Sequence, residues 1–131
     1  MNKSNNTICK QFFSNSVPTI LLSPSDKILD FFTLDFNLDK QSEYVLVFKN
    51  KILIYGQDLI IQEKIDLLED FKQLKVWKGG YGYLNHFNQL IVYYKGKKSI
   101  VEDADDFLVD RHENTFRILV QYKNTLKLLH L

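Results

Sequence analysis

The chain has 131 residues, of which 45% are hydrophobic and 25% charged, a composition that indicates a globular protein of one domain. Its formal net charge of +1 provides no long-range field that would recruit nucleic acid or an anionic membrane. The single cysteine, Cys9, excludes an internal disulfide, and no cysteine–histidine spacing typical of a zinc site occurs. These numbers exclude a disulfide scaffold, a zinc finger and a polybasic tail, but they select no function.

The N-terminal residues 1–16 are polar, which predicts a flexible tail before a single domain over residues 17–131. They lack the continuous apolar stretch of a signal peptide, and no run of 18 apolar residues predicts a membrane span. A free cysteine without an export signal favours the cytoplasm. We therefore expect a cytoplasmic protein.

Two segments have the pattern of amphipathic helices. The first would begin at Ser23, because a serine N-cap, a proline at the next position and an acid two residues later are typical of a helix start. Its apolar face would hold Ile28, Leu29, Phe31 and Phe32. The second would cover residues 62–74, where the side chains on one side of a helical wheel are Ile61, Ile65, Leu68 and Phe71. Short strands are predicted over residues 17–22 and 33–39.

Three segments share one layout, in which two apolar runs flank a lysine followed by asparagine or glycine. Asparagine and glycine tolerate the left-handed backbone conformation of tight hairpins, so each segment predicts a β-hairpin. The segments are residues 44–55, 90–101 and 116–129. The chain is therefore predicted to be α+β, with about six antiparallel strands in three hairpins packed on one or two amphipathic helices.

The first candidate site is the acidic segment, residues 102–113, where six acids and one arginine give a charge of −5. An acidic surface can steer onto a basic protein partner and cover it. Carboxylates could also bind a divalent cation, although the order is not that of an EF-hand loop. A solvated loop is the third alternative. The residues are Asp103, Asp105, Asp106, Asp110 and Glu113.

The second candidate is the glycine-rich aromatic segment over residues 77–83, in which Trp77, Tyr81 and Tyr83 are predicted anchors for a protein partner. The string Gly80-Tyr81-Gly82-Tyr83-Leu84 is similar to the core of the RNA-recognition motif, whose aromatic side chains stack on bases. Aromatic residues interleaved with lysines can also bind single-stranded nucleic acid by stacking and phosphate contact, which predicts an alternative surface made by Lys78, Tyr93, Tyr94, Lys95, Lys97 and Lys98. Core aromatics beside a glycine turn are the remaining interpretation.

No Walker A pattern, dinucleotide fingerprint or nucleophile elbow occurs, so a non-enzymatic protein without cofactor or metal is expected. The most concrete prediction is a bacterial immunity or inhibitor protein that occludes the active site of a cognate toxin or enzyme. The alternative is a single-stranded nucleic-acid-binding protein. The edges of a hairpin sheet also allow strand addition or a homodimer.

Overall fold

Antiparallel strands supply all the regular structure of the computed structural model, which describes residues 8–10, 19–113 and 115–131. No helix occurs in these ranges, so the predicted α+β class is wrong and the fold is all-β. No helix there has the length and apolar character needed to cross a membrane. The strands are β1 (Ile8–Lys10), β2 (Thr19–Leu22), β3 (Asp30–Leu34), β4 (Glu43–Val47), β5 (Lys51–Tyr55), β6 (Ile61–Asp66), β7 (Phe71–Trp77), β8 (Gly80–Asn85), β9 (Leu90–Tyr94), β10 (Lys97–Val101), β11 (Asp106–His112), β12 (Thr115–Tyr122) and β13 (Thr125–His130).

Each strand pairs with its neighbour in sequence. Three sheets follow this rule, with the orders β3-β4-β5-β6, β7-β8-β9-β10 and β11-β12-β13, and β1 pairs with β2. All of these pairings are antiparallel. The chain therefore builds successive meanders in which every connection is short.

The chain divides into two compact units, Met1–Leu68 and Glu69–Leu131. In the first unit, strands β4 and β5 are buried on both faces, as their unbroken apolar sequence requires. One of those faces forms a core cluster of Ile28, Leu46, Phe48 and Leu53, against which Leu21 and Leu22 pack. The predicted tail lies largely outside the described residues, and the single domain over residues 17–131 stays a prediction.

In the second unit, the sheet β7–β10 and the sheet β11–β13 share one apolar core. The buried members of that core are Trp77, Leu84, Leu90, Val92, Ala104, Phe107, Ile118 and Val120. Along β12 the buried residues alternate with more exposed ones, which is the period of two expected of a strand with one face in a core. The outward-facing residues of β12 therefore do not belong to this core.

The first predicted helix is wrong. Residues 23–29 form no helix, and β3 begins at Asp30. Phe31 pairs with Leu46 and Phe32 with Val45, so the two phenylalanines point to opposite faces of a sheet. Aromatic and β-branched residues favour strands, and a ten-residue helix without tertiary packing is marginal. Pairing with β4 therefore overrides the serine–proline start signal.

The second predicted helix is also wrong, because residues 62–74 hold the end of β6 and the start of β7. Ile65 pairs with Ile52 of β5, which anchors β6 in its sheet. Leu68, predicted on the apolar face, is 94% exposed, whereas its neighbour Leu67 is 7% exposed. The helical spacing of apolar residues here spans a strand, a loop and a second strand.

The three predicted hairpins are present as β4–β5, β9–β10 and β12–β13. Lys95 and Gly96 have φ values of 50° and 78°, so both central residues of the β9–β10 turn lie in the left-handed region. This is the backbone that the lysine–glycine pair was expected to adopt. The predicted total of about six strands is too low, since each hairpin gains further strands on its flanks.

Candidate functional site

The outer face of the β11–β13 sheet carries a row of leucines, here called the leucine patch. Leu108 of β11 pairs with Leu119 of β12, which pairs with Leu128 of β13, and Leu126 lies two residues away along β13. The side chains of Leu108, Leu126 and Leu128 are 47%, 66% and 43% exposed. An apolar row that crosses three strands on an exposed face is typical of an interaction surface rather than of scattered surface leucines.

Strand alternation places these leucines outward. Phe107, Ile118 and Val120 take the inward positions on the same strands and are 3%, 0% and 2% exposed. Because side chains alternate with a period of two, the residue between two inward positions must face out. Leu119 therefore cannot join the core that holds Ile118 and Val120.

A cavity of about 200 Å³ adjoins the patch where strand β7 approaches β11. Its position is fixed by Gln73, whose Nε2 donates to Asp106 Oδ1 at 3.1 Å, and by Lys75, whose Nζ donates to the Phe107 carbonyl at 2.6 Å. Pockets for drug-sized ligands run from roughly 300 to 1,000 Å³, so this one suits a single side chain better. It is lined by Gln73, Lys75, Asp106, Phe107, Leu108, Leu119, Gln121 and Leu126.

The acidic segment leads into and forms β11. Asp103, Asp105, Asp106 and Glu113 are exposed, and Asp105 Oδ2 accepts the backbone N–H of Lys123 at 2.7 Å. Asp110 differs from these four, because its Oδ2 lies 2.6 Å from Arg117 Nη2 across the β11–β12 pair. Asp106 thus lines the cavity, whereas the charge of Asp110 is compensated by Arg117. The sequence alone had predicted the same role for both residues.

The carboxylates of the acidic segment, for which cation binding was one alternative, form no group of three possible metal ligands among the described side chains. Among the side chains that the structure describes, the one group of three possible ligands lies elsewhere, in the loop between β3 and β4, and consists of Asp35, Asp39 and Glu43. Much of its oxygen capacity is used by the loop itself. Asp35 accepts the backbone N–H groups of Asp39 and Lys40 at 3.0 Å each, so the carboxylates account for the loop without an ion.

Glu43 is the buried member of that group, at 1% exposure. Its Oε1 accepts the backbone N–H of Phe36 at 2.9 Å and that of Asn37 at 3.2 Å, which holds the loop against β4. Burial raises the pKa of Glu43, and the carboxylate of Asp39 adds to the rise, while the hydrogen bond from Asn37 opposes it. The charged form is therefore stabilised less in the folded chain than in water.

The variant Glu43→Gln is expected to gain stability relative to the natural chain as the pH rises from 4 to 7. Since the folded pKa of Glu43 lies above 4.5, the folded state holds its proton more tightly, and stability is lost as the pH rises through the folded value. Glutamine keeps the Oε1 acceptor without the charge. Urea unfolding at both pH values measures the effect.

Two matched variants control this experiment. Glu63→Gln, at an exposed position on β6, should change the free energy of unfolding by less than about 0.5 kcal/mol at both pH values. Glu43→Ala should cost about 2 kcal/mol, because it removes the buried carboxylate that accepts the backbone N–H groups of Phe36 and Asn37. A Glu43→Gln variant that loses stability relative to the natural chain between pH 4 and pH 7 would contradict the raised pKa.

The predicted aromatic anchors lie in the interior. Trp77, Tyr81 and Tyr83 are 5%, 8% and 8% exposed, so their rings offer little surface to a partner. The ring of Tyr81 stacks on that of Tyr93 with centroids 4.9 Å apart. Of the interpretations drawn from the sequence, the geometry favours core aromatics, with Gly80 at the start of β8 giving Trp77 its space.

Tyr83 is held as a hydrogen-bond donor. Its hydroxyl lies 3.5 Å from Glu69 Oε1, which also accepts from Asn85 Nδ2 at 3.0 Å. Burial raises the pKa of Tyr83 to about 12, and the Glu69 carboxylate adds to the shift. The phenol therefore stays protonated at neutral pH and is unsuited to act as a general base.

The lysines of the alternative nucleic-acid surface rest on tyrosines. Lys95 Nζ lies 5.2 Å from the centre of the Tyr94 ring, and Lys98 Nζ lies 5.7 Å from that of Tyr93. Tyr94 also meets Phe116 edge to face, at 6.2 Å. The remaining lysines of that prediction, Lys78 and Lys97, are exposed. The two tyrosines are half-buried, and the ring of Tyr93 is stacked on that of Tyr81, which leaves less ring surface for stacking on bases.

Sequence reasoning missed the leucine patch. The signal was present, because the β12–β13 turn fixes the register and so places Leu119 opposite Leu128. Leu119 lies between Arg117 and Gln121 in the outward row, where a polar residue is expected. Aligning the two strands through their turn would have shown apolar residues on both faces.

No protein-family model matches the chain, and no curated protein matches it. One solved structure is similar to it, a chain from a Saccharomyces cerevisiae complex described as Dbp5 bound to Nup159, Gle1, IP6 and ADP. The similarity has a TM-score of 0.49 and 14% identity, and covers 100% of this chain and 43% of that chain. The chain thus spans less than half the length of that neighbour, and so distant a likeness assigns neither family nor function.

Proposed function

We propose that this chain is a non-enzymatic protein-binding module that uses the outer face of its β11–β13 sheet. The observation that carries the proposal is the leucine patch, whose members on β11 and β13 are 43% to 66% exposed. Fully burying a leucine contributes about 1.5–3 kcal/mol relative to leaving it exposed. A partner that covers the patch therefore gains several kcal/mol from a surface that otherwise disfavours solubility.

The exposed carboxylates beside the leucine patch would form the polar rim of such an interface. Asp106 begins β11 and lines the cavity beside the apolar row, and the exposed Asp105 precedes it in the chain. Charges at the rim of an interface change the association rate and the choice of partner more than the final affinity. An apolar centre with an acidic rim is a common organisation of a protein interface.

The chemistry of the cavity favours binding over catalysis. Its lining contains one carboxylate and one ammonium, and no serine, cysteine or histidine. Lys75 is the ammonium, and its Nζ is already bound to a backbone carbonyl. A catalytic site needs a nucleophile or a titratable pair free to reach a substrate; this lining has no hydroxyl, thiol or imidazole, and its ammonium and its carboxylate both already bind neighbouring groups.

Affinity capture from the native cell lysate tests the proposal. The tagged natural chain, treated with nuclease at moderate salt, is expected to retain one protein at stoichiometric amount. The double variant Leu108→Gln/Leu126→Gln is expected to lose it at least tenfold. The matched control is Ile60→Gln/Leu68→Gln, which alters two residues exposed at 64% and 94% outside the patch and should retain the partner.

Equal capture by the patch variant and the control would contradict the proposal. So would recovery of nucleic acid alone, which would favour the lysine–tyrosine surface of residues 78–98 instead. The identity of a captured protein decides the narrower expectation of an immunity or inhibitor function, which stays a prediction until then.

A further inference from the structure

The sheet β7–β10 carries an excess of positive charge. Residues 71–101, which form this sheet, contain six lysines and no aspartate or glutamate. The net charge of +1 conceals the excess, because the acids of the second unit come before and after these residues in the chain. An approaching ion responds mainly to charges within a Debye length of about 8–10 Å, so the local excess determines what this surface attracts.

Two adjacent turns gather four of the six lysines at one end of the sheet. In a meander the β7–β8 and β9–β10 turns lie at the same end, and here the backbone N–H of Lys95 donates to the Gly79 carbonyl at 3.0 Å. Four neighbouring strands span about 14 Å, so the turns form one continuous stretch of surface. This surface is here called the lysine end, and its lysines, all exposed, are Lys78, Lys95, Lys97 and Lys98.

The acids that follow the sheet in the chain begin at its opposite end. The backbone N–H of Ala104 donates to the Asn88 carbonyl at 2.8 Å, and Gln89 Nε2 donates to Glu102 Oε1 at 3.1 Å. Both contacts tie residues 102–104 to the β8–β9 turn, which lies away from the two lysine turns in the meander. The fold therefore separates charges that partly cancel in the total.

The positive charges of the lysine end are not compensated by nearby acids. Among the side chains that the structure describes, none of its four lysines forms an ion pair. The β11–β12 hairpin approaches this end through the edge-to-face contact of Phe116 with Tyr94. That hairpin adds one exposed charge of each sign, Arg111 and Glu113, which leaves the excess unchanged.

The ammonium groups are positioned but remain available. Lys95 and Lys98 lie over the rings of Tyr94 and Tyr93, a contact that restricts the two side chains and leaves their N–H donors free for an anion. At Gly96, between the lysines of the β9–β10 turn, no described atom beyond its chain neighbours lies within 4 Å of the place that a Cβ would take. A ligand can therefore approach the backbone of this turn closely.

From this separation of charge we propose that the lysine end binds the phosphate backbone of a nucleic acid without reading its bases. Lysine binds phosphate as a point charge, and exposed lysines spread over two turns match a chain of repeated charges. Tyr93 and Tyr94 are half-buried, so stacking on bases contributes little. The lysine end shares no residue with the leucine patch, so this is a second binding site beyond the proposed protein-binding function.

Fluorescence anisotropy of a labelled oligonucleotide, titrated with the full chain, tests the inference. A 12-nucleotide oligothymidylate should bind with a dissociation constant of about 10–100 µM at 50 mM NaCl. At 200 mM NaCl it should bind about 20- to 50-fold more weakly, as expected for three or four contacts to the phosphates of a single strand. An oligoadenylate of the same length should bind within about threefold, because phosphate contacts carry no sequence information.

A pair of matched double variants locates the site. Lys95→Gln/Lys97→Gln should weaken binding about tenfold and reduce the magnitude of the salt slope by about 1.4, the contribution of two phosphate contacts. The control, Lys123→Gln/Lys127→Gln, removes the same charge from exposed positions of the β12–β13 hairpin and should change the affinity less than about twofold. The match is close, because Lys95 and Lys123 both begin a turn, with φ values of 50° and 52°.

Equal losses of affinity from the two double variants would attribute the binding to net charge and overturn the inference. Binding that does not respond to salt, or a preference of more than about tenfold for one oligonucleotide, would contradict recognition through phosphates. Displacement by polyglutamate as effective as displacement by unlabelled oligonucleotide would indicate an acidic protein as the ligand instead. An unchanged anisotropy at about 200 µM protein and 50 mM NaCl would exclude the site.

The outcomes for the two surfaces are distinguishable. The patch variant Leu108→Gln/Leu126→Gln should bind the oligonucleotide like the natural chain, and Lys95→Gln/Lys97→Gln should keep the captured protein. A chain that binds the oligonucleotide but captures no protein supports this inference and contradicts the proposed function. A chain that captures its protein through the leucine patch but binds no oligonucleotide overturns this inference alone.

Discussion

Replacing Gly80 with alanine is expected to lower the free energy of unfolding by about 3 kcal/mol, as overpacking against backbone in a closely packed core does. The added Cβ would lie 2.4 Å from the carbonyl oxygen of Tyr93 and 3.0 Å from Trp77 Nε1. The carbonyl belongs to β9, the strand paired with β8. It cannot move away without breaking the pairing of two central strands, so the strain cannot be relieved by a rotamer change.

Gly82→Ala is the matched control on the same face of β8. Its Cβ would lie 3.2 Å from Trp77 Cη2 and 3.4 Å from the Ile91 carbonyl oxygen, contacts that a shift of a few tenths of an ångström relieves. Its expected cost is about 1 kcal/mol. Urea denaturation of both variants measures the difference, and a Gly82→Ala variant that is the less stable of the two would contradict this account of the packing.

The second large effect is expected at Trp77, for which truncation to alanine should cost about 3–5 kcal/mol. Its indole is 5% exposed and lies in the core shared by the two sheets of the second unit. Trp77→Phe should cost far less, about 1 kcal/mol, because it also removes an indole N–H that is buried without an acceptor. Thermal and urea unfolding followed by circular dichroism give both values.

These two variants also decide between the interpretations of the aromatic segment. If Trp77 is a core residue, Trp77→Phe keeps both the fold and the capture of a partner. A Trp77→Ala chain of unchanged stability that had lost its partner would identify Trp77 as an interface anchor. That outcome would contradict the burial described here.

The hairpins could be predicted because their signals are local. A lysine–glycine or lysine–asparagine turn fixes both the reversal of the chain and the pairing on either side of it, as at Lys95 and Gly96. Ten or twelve residues contain all the information that such a prediction needs. The strands added to each hairpin depend instead on partners farther along the chain.

The helices could not be excluded from the sequence, because helical spacing and two successive strands place apolar residues at similar intervals. Ile61 and Ile65 lie on β6, Leu68 in a loop and Phe71 on β7, and together they mimic one helical face. Exposure separates the two cases, since a helix would bury Leu68. The pairing of β6 and β7 with their neighbouring strands therefore determines the structure. The apparent helical periodicity results from apolar residues on two strands and the loop between them.

The sequence predicted the acidic part of the candidate site but not its apolar part. The charge of residues 102–113 indicated a surface segment, and Asp106 lies at the cavity as part of it. The apolar half was hidden, because Leu108, Leu119 and Leu128 are distant in sequence and meet only through two strand registers. Likewise, the sequence does not show that Arg117 neutralises Asp110.

The pairing of each strand with its sequence neighbour has a consequence for how the protein forms. Contacts of this kind close short loops, which keeps the entropic cost of each step small and favours rapid folding for an all-β chain. During synthesis at about 5–20 residues per second, the β3–β6 meander is complete within seconds of its first strand leaving the ribosome. Strands β4 and β5 are thus paired on both sides before the later sheets exist, which shortens the interval in which Val45 or Ile52 is exposed to other nascent chains.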